Sequence, residues 1–337
     1  MKAAVIGGSG YLGTELLRLL AGHPELDVTL VQAAGAAGSP VTARAPGLAS
    51  AYGDVVYAPV DPDACAGADV VFVAVPSGAS QDLVGALVDR VGCVVDLGAD
   101  FRLRDASAYE RWYGFEHRRP DLLARAVYGL PELTRAALPG ARLVAAPGCY
   151  VTAASLALAP LVAAGVIEAR GVVVDAASGT SGAGRSLTDQ THHAAVNESF
   201  SAYKVLEHRH TPEMEQAIGA ELVFTPHLAP MTRGILATCY GRATRPTSTA
   251  ELVELLATVY DGEPFVQVTP ALVSTRECYG TNLARLTARY DERTGTVVVL
   301  SAIDNLTKGG SGQAIQAANA ALGLPEVTGL PRVAVGP

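Results

Sequence analysis

The 337-residue chain is poor in charge and in cysteine. Charged residues make up 17%, below the usual quarter, and the net charge is −8. Such a chain lacks the basic surface that holds a phosphate backbone, which argues against a nucleic-acid partner. The five cysteines, Cys65, Cys93, Cys149, Cys239 and Cys278, are scattered, odd in number and without a CxxC pair. That pattern disfavours a disulfide framework or a thiolate zinc site and points to a reducing cytoplasm. HExxH spacing is missing too, so no metal is expected. Only six residues precede the first glycines, too few for a signal peptide. Residues 143–167 carry no charge, yet Pro147, Gly148, Pro160 and Gly165 divide them into strand, loop and helix rather than a membrane span. No internal repeat or low-complexity linker interrupts the chain, and only the Ala/Gly-rich stretch 33–39 reads as loose.

What is present is ample core material, 49% AVILMFWYC residues, in a length that suits two domains. Apolar runs at 2–6, 27–32, 69–75 and 93–97 predict strands. Residues 11–20 and 80–90 predict helices, the second capped by Ser80. This alternation predicts right-handed βαβ units and a Rossmann-type, doubly wound parallel sheet, an α/β fold. After Gly148 the pattern changes: 171–176, 221–225, 234–242 and 265–268 read as strands, and 282–290 with 296–304 as a hairpin. A second, α+β domain is therefore expected over 149–311, with a helix at 312–322 returning to the first. The domains are read as 1–148 plus 312–337, and 149–311.

Four stretches carry chemistry. Gly7, Gly8, Ser9, Gly10, Tyr11, Leu12 and Gly13 lie between the first strand and first helix. Their glycine spacing suits a tight turn whose N–H groups approach a dinucleotide pyrophosphate. Val31-Gln32-Ala33-Ala34 stands where an acid would hold a ribose 2′-hydroxyl, so NADP is favoured over NAD. Cys149, in Pro147-Gly148-Cys149-Tyr150, precedes a helix expected to begin near Thr152, where the dipole favours thiolate. The other cysteines read as packing residues, and His23 and His117 as ordinary surface residues. His208 and His210 precede a helix start at Thr211-Pro212, a setting that opposes protonation and keeps a neutral base available. Residues 178–185 offer N–H groups, hydroxyls and Arg185 to an anion, and Arg102, Arg233 and Lys308 are further candidate contacts for an acidic substrate or its phosphate.

Taken together, GGSGYLG at 7–13, VPSGAS at 75–80, DLGADFRL at 96–103, YGLPEL at 128–133, PGCY at 147–150, SGTSGAGR at 178–185, EHRHTPE at 207–213, FTPHLAPMTRGIL at 224–236 and IDNLTKGGSGQAIQ at 303–316 resemble N-acetyl-γ-glutamyl-phosphate reductases. These belong to the wider aspartate-semialdehyde dehydrogenase superfamily. The resemblance runs in family order along essentially the whole chain. One departure stands out: the Ser-Arg pair that relatives often place after the second strand is replaced by Gln32-Ala33-Ala34-Gly35, without a cation.

The resemblance implies NADPH-dependent reduction of N-acetyl-L-glutamyl 5-phosphate to the semialdehyde, in the arginine pathway, through a Cys149 thioester. His208 or His210 is the implied acid/base, the choice between them left open. Implied cofactor contacts add Pro76, Ser77, Ser178, Gly179, Gly182, Asn305, Lys308, Gly309 and Gln313 to the glycine turn. Arg102, Ser181, Arg185 and Arg233 are the implied substrate contacts, and a homodimer or homotetramer is expected. Rival readings are a carrier-protein-linked aminoadipyl or glutamyl phosphate reductase, aspartate-semialdehyde dehydrogenase, and a non-catalytic NADP-binding sensor. A sensor would have no use for a poised nucleophile beside a histidine pair.

Overall fold

The computed structural model describes residues 1–189 and 191–335. It separates into two compact units. The first comprises Met1–Pro147 and Gly310–Leu330; the second comprises Gly148–Gly309 and the described part of 331–337. Residues 336 and 337, read from sequence as the end of the first domain, lie outside the described residues.

The first unit holds a six-stranded sheet among the described residues, in the order β2-β1-β3-β4-β6-β5. Its strands are β1 (Lys2–Ile6), β2 (Asp27–Gln32), β3 (Val70–Val73), β4 (Cys93–Asp96), β5 (Val127–Tyr128) and β6 (Leu143–Ala145). Every pairing is parallel, with Ala3–Ile6 opposite Val70–Val73. Val70–Val73 and Cys93–Asp96 are buried throughout, as expected of parallel strands covered on both faces. The helix Tyr11–Leu20 turns Leu16, Leu17, Leu19 and Leu20 inward, each contributing on the order of 2 kcal/mol of burial. The helix Gly312–Ala321 belongs to this unit, where Gln313 Nε2 donates to Gly129 O at 3.0 Å and Ser311 Oγ to Leu12 O at 2.8 Å.

Several local expectations need correction. Ser80 is the first residue of the helix Ser80–Leu87, not its cap, because its hydroxyl donates to the buried Asp96 carboxylate at 3.0 Å. His23 and His117 are 7% and 6% exposed rather than on the surface. His23 Nε2 bonds Asn319 Oδ1 at 3.1 Å, and His117 Nε2 bonds Asp100 O at 2.7 Å. Both imidazoles thus satisfy buried polar groups.

The second unit is built on a seven-stranded mixed sheet among the described residues, ordered β11-β12-β13-β10-β7-β9-β8. The strands are β7 (Val172–Ser178), β8 (Ser201–Ala202), β9 (Leu222–Leu228), β10 (Ile235–Arg242), β11 (Val266–Val268), β12 (Ala284–Asp291) and β13 (Thr296–Ile303). Burial alternates along β7 and β10, so one face is packed and the other half-exposed. The helix Cys149–Ala163 packs on β10 and β13 and is apolar nearly all round, with Tyr150 to Leu161 buried. Pro160 inside it removes the N–H that would reach Leu156 O. The Tyr260 hydroxyl donates to that carbonyl instead, at 2.6 Å, so the defect is repaired inside the core. Among the described residues, no helix is long and apolar enough to cross a membrane.

Candidate active site

The first unit contains a cradle of backbone. Gly7 N–H and Gly8 N–H both donate to Gln32 O, at 2.9 and 3.0 Å, and Gly7 adopts φ +87°. A Cβ on Gly7 would lie 2.1 Å from Ala74 O, and one on Gly13 2.2 Å from Gly7 O. The turn closes this tightly only without side chains, and it leaves the helix Tyr11–Leu20 with its positive end open to an anion. Ser9, Gly10 and Leu12 are half-buried and Tyr11 exposed. Gln32, which stands where sequence would place an acid, is fully buried with its amide bonded to the backbone of residue 61.

Beside it runs the turn 76–80, with Pro76 exposed and Ser77 half-buried. Two buried acids hold this turn. Asp100 accepts Gly78 N–H at 2.7 Å and Ser80 N–H at 3.0 Å, while Asp96 accepts Ser80 Oγ and Gly98 N–H. Burial, reinforced by Asp100, pushes the Asp96 pKa up to about 7. Sequence reading gives neither acid this role, because nothing in DLGADFRL distinguishes inward from outward carboxylates. Arg102, expected to meet substrate, is 9% exposed and donates to Ala146 O and Leu97 O. In this structure its guanidinium ties the ends of β4 and β6.

The second unit carries the nucleophile candidate. The helix begins at Cys149 itself, three residues earlier than expected, with Gly148 as its N-cap. The thiol is therefore on the first helical residue, where the dipole favours negative charge. Cys149 is partly exposed, whereas Cys65, Cys93, Cys239 and Cys278 are buried. Burial pushes those four thiols well up, Cys65 to about 11 and Cys93 and Cys278 to about 12.

The two histidines have separate environments. His210 caps the helix Thr211–Ile218, and its ring lies against Gly148: a Cβ there would meet Nε2 at 2.5 Å, Cε1 at 2.7 Å and Cδ2 at 2.8 Å. His208 lies behind it, 4.7 Å between ring centroids, boxed by Tyr150, Tyr203 and Phe224. Its Nδ1 accepts His210 N–H at 3.2 Å. Burial, then Arg209 and Lys204, lowers the His208 pKa to about 3. It is thus neutral, but through burial rather than through the helix end invoked from sequence. Burial likewise raises the phenols of Tyr150 and Tyr203. Tyr203 Oη donates to Tyr150 Oη, which donates to His227 O, both at 3.1 Å.

Three loops of the second unit are bonded to one another. Asn305 Nδ2 donates to Ser181 Oγ at 2.9 Å and Asn305 Oδ1 accepts Gly234 N–H at 2.7 Å, which joins residues 178–183 to 231–234 and 304–309. Ser178 Oγ bonds Gly179 O, and a Cβ on Gly182 would crowd that hydroxyl at 2.9 Å. Arg233, expected to meet substrate, pairs with the buried Asp304 at 2.9 Å and donates to Thr307 Oγ1 at 2.9 Å. Arg185 is exposed. Lys308, expected to contact the cofactor, is fully buried with its ammonium 5.5 Å from the Phe265 ring centroid. Its neighbour Gly309 lies against the nucleophile candidate: a Cβ there would lie 2.8 Å from Cys149 Cβ. Lys308 and Gly309 lie in a π-helical turn, Thr307–Ser311, a distortion common at functional sites and invisible to sequence periodicity.

Residues 2–141 match the semialdehyde dehydrogenase NAD binding domain, and residues 149–305 the semialdehyde dehydrogenase dimerisation domain. The N-acetyl-gamma-glutamyl-phosphate reductase of Symbiobacterium thermophilum is 49% identical over 98% of this chain and 97% of its own. That of Geobacter sulfurreducens is 48% identical over the full length of both. The chain belongs to the N-acetyl-gamma-glutamyl-phosphate reductase family. It is an oxidoreductase whose first unit is a nicotinamide-dinucleotide-binding domain. Solved structures share the fold at low identity. Aspartate semialdehyde dehydrogenase with NADP from Candida albicans superposes with a TM-score of 0.69 at 16% identity, over 95% of this chain and 97% of that one. The Vibrio cholerae aspartate semialdehyde dehydrogenase II complexed with ASA gives 0.68 at 14%, over 95% and 97%.

Proposed function

We propose that this reductase converts N-acetyl-L-glutamyl 5-phosphate to N-acetyl-L-glutamate 5-semialdehyde with NADPH, in arginine biosynthesis, through an acyl thioester on Cys149. The observation that carries the reading is the surroundings of Cys149: first residue of a buried helix, Gly309 against its Cβ, and the His210 ring against the preceding glycine. The thiolate attacks the acyl carbon, a C–S bond forms, and the C–O bond to phosphate breaks with release of phosphate. When bound, the dinucleotide supplies the hydride that reduces the thioester to a thiohemiacetal. His210 protonates the oxyanion, then takes back that proton as the C–S bond breaks to free aldehyde and thiolate. Backbone N–H groups of the first helical turn offer stabilisation to the oxyanion.

His210 is favoured over His208 because it adjoins the Cys149 turn, while His208 is enclosed by aromatic rings with its Nδ1 engaged. The glycine turn suits a pyrophosphate, because its missing Cβ atoms let it close tightly at the N-terminus of the helix Tyr11–Leu20, where the dipole favours an anion. Gly8, Ser9, Gly10, Pro76 and Ser77 would line it, and Gln32 in place of an acid favours NADP. Residues 1–148 with 312–337 are read as the cofactor domain and 149–311 as the catalytic one. A homodimer or homotetramer in the cytoplasm fits the dimerisation-domain match and the half-exposed sheet face.

The test is NADP reduction by N-acetylglutamate semialdehyde with phosphate, beside the aspartate and aminoadipate analogues. The acetylglutamyl compound should be turned over fastest, Cys149→Ser should be inactive, and His210→Asn should be much slower than His208→Asn. Preference for either analogue, or an active Cys149→Ser enzyme, overturns the reading.

A further inference from the structure

The helix Thr211–Ile218 delivers a second group to the nucleophile's turn. Glu213 is fully buried, and its Oε1 accepts Gly148 N–H at 2.9 Å. Gly148 is the residue against which the His210 ring lies, and the one whose carbonyl accepts Thr152 N–H at 2.9 Å to start the Cys149 helix. His210 and Glu213 are three residues apart at the start of one helix, so both side chains leave on the same face. One helical turn therefore places an imidazole on the Gly148 peptide and a carboxylate under its N–H.

A buried carboxylate is costly to keep, and a core position would be served by an apolar residue unless the acceptor has a use. Here the use is geometric. Gly148 lacks a side chain that could fix its peptide by packing, and the peptide that follows it sets the direction of the Cys149 Cα–Cβ bond. Without an acceptor, the Gly148 N–H would be left buried or the turn would rotate to satisfy it.

We infer that Glu213 is a positioning residue: through the Gly148 N–H it locks the turn that carries Cys149 to the helix that carries His210, so that thiol and imidazole keep one relative placement. This rests on the reading of Cys149 as nucleophile. It adds a residue that touches neither substrate nor cofactor.

The experiment compares Glu213→Ala, Glu213→Asp and Glu213→Gln in the full-length enzyme. The readouts are kcat and KM for semialdehyde, the rate of Cys149 alkylation by iodoacetamide followed by peptide mass spectrometry, and thermal melting. Glutamine keeps an oxygen at the same reach, whereas aspartate is one methylene short and alanine has none. Glu213→Ala and Glu213→Asp should lose roughly 10- to 100-fold in kcat with KM within about 3-fold, the size expected of a misplacement near 1 Å. Their Cys149 alkylation should also slow, and Glu213→Gln should recover most of the lost kcat. Should alanine destabilise the fold, the aspartate–glutamine pair still decides. Equal kcat in those two, or alkylation unchanged in aspartate, overturns the inference. The alkylation readout does not depend on the proposed reaction: an active Cys149→Ser enzyme would discredit the nucleophile and leave the positioning test standing.

Discussion

Adding one methyl group at Gly148 tests whether His210 is the working base. Gly148 has φ −69° and ψ 146°, an extended conformation that alanine adopts without strain. Its N–H bond to Glu213 would persist, so the substitution acts only through the new Cβ. That atom would lie 2.5, 2.7 and 2.8 Å from three His210 ring atoms, where ordinary contact begins at 3.4 Å. The ring must therefore retreat by roughly 1 Å, the scale of misplacement that costs about 100-fold in rate, or about 2.7 kcal/mol of barrier. Retreat is obstructed by His208, 4.7 Å away between centroids, and by Tyr150 at 6.0 Å. Overpacking should destabilise the second unit by about 1–3 kcal/mol. Initial rates of NADP reduction, read beside circular-dichroism melting, should show kcat down about 100-fold with KM little changed. A folded Gly148→Ala enzyme whose kcat stays within about 3-fold of wild type would refute the reasoning, since a displaced general base cannot be harmless.

Two pH effects follow from buried groups. His208 has its folded pKa lowered to about 3 from 6.5, so its contribution is full above pH 6.5 and falls away as the pH drops towards 3. Denaturant titrations should show about 2 kcal/mol lost between pH 7.5 and 5, and His208→Phe should remove that part of the slope. Asp96 behaves oppositely: its pKa is raised to about 7 by burial and by Asp100, so its stabilising share is present at low pH and lost as the pH rises through 7. Asp96→Asn, whose oxygen can accept Gly98 N–H while its NH2 donates to a turned Ser80 hydroxyl, should melt higher relative to wild type at pH 8 than at pH 5. A constant difference would show that Asp96 is ionised throughout.

The parts legible in sequence were those with local signatures. The glycine turn at 7–13 announces itself because backbone approach demands missing side chains, and the βαβ alternation because strands covered on both faces become continuous apolar runs. Cys149 was distinguishable by its place before a helix. What was not legible depended on long-range partners. His208 and His210 are equivalent in a one-dimensional reading, and only the aromatic box of Tyr150, Tyr203 and Phe224 separates them. Arg233 and Lys308 look like surface cations until Asp304 and Phe265 are brought to them. Glu213 is one more acid in EHRHTPE until folding places it under the Gly148 N–H.

The most direct test is to trap the acyl group on sulfur. Enzyme mixed with N-acetylglutamyl phosphate in the absence of NADPH, quenched in acid and digested, should yield a Cys149 peptide carrying an N-acetylglutamyl thioester. The adduct should vanish on hydroxylamine treatment and be missing from Cys149→Ser. Phosphate release and turnover by an enzyme whose Cys149 stays unmodified at every quench time, or an acyl group found on a different residue, would contradict the account.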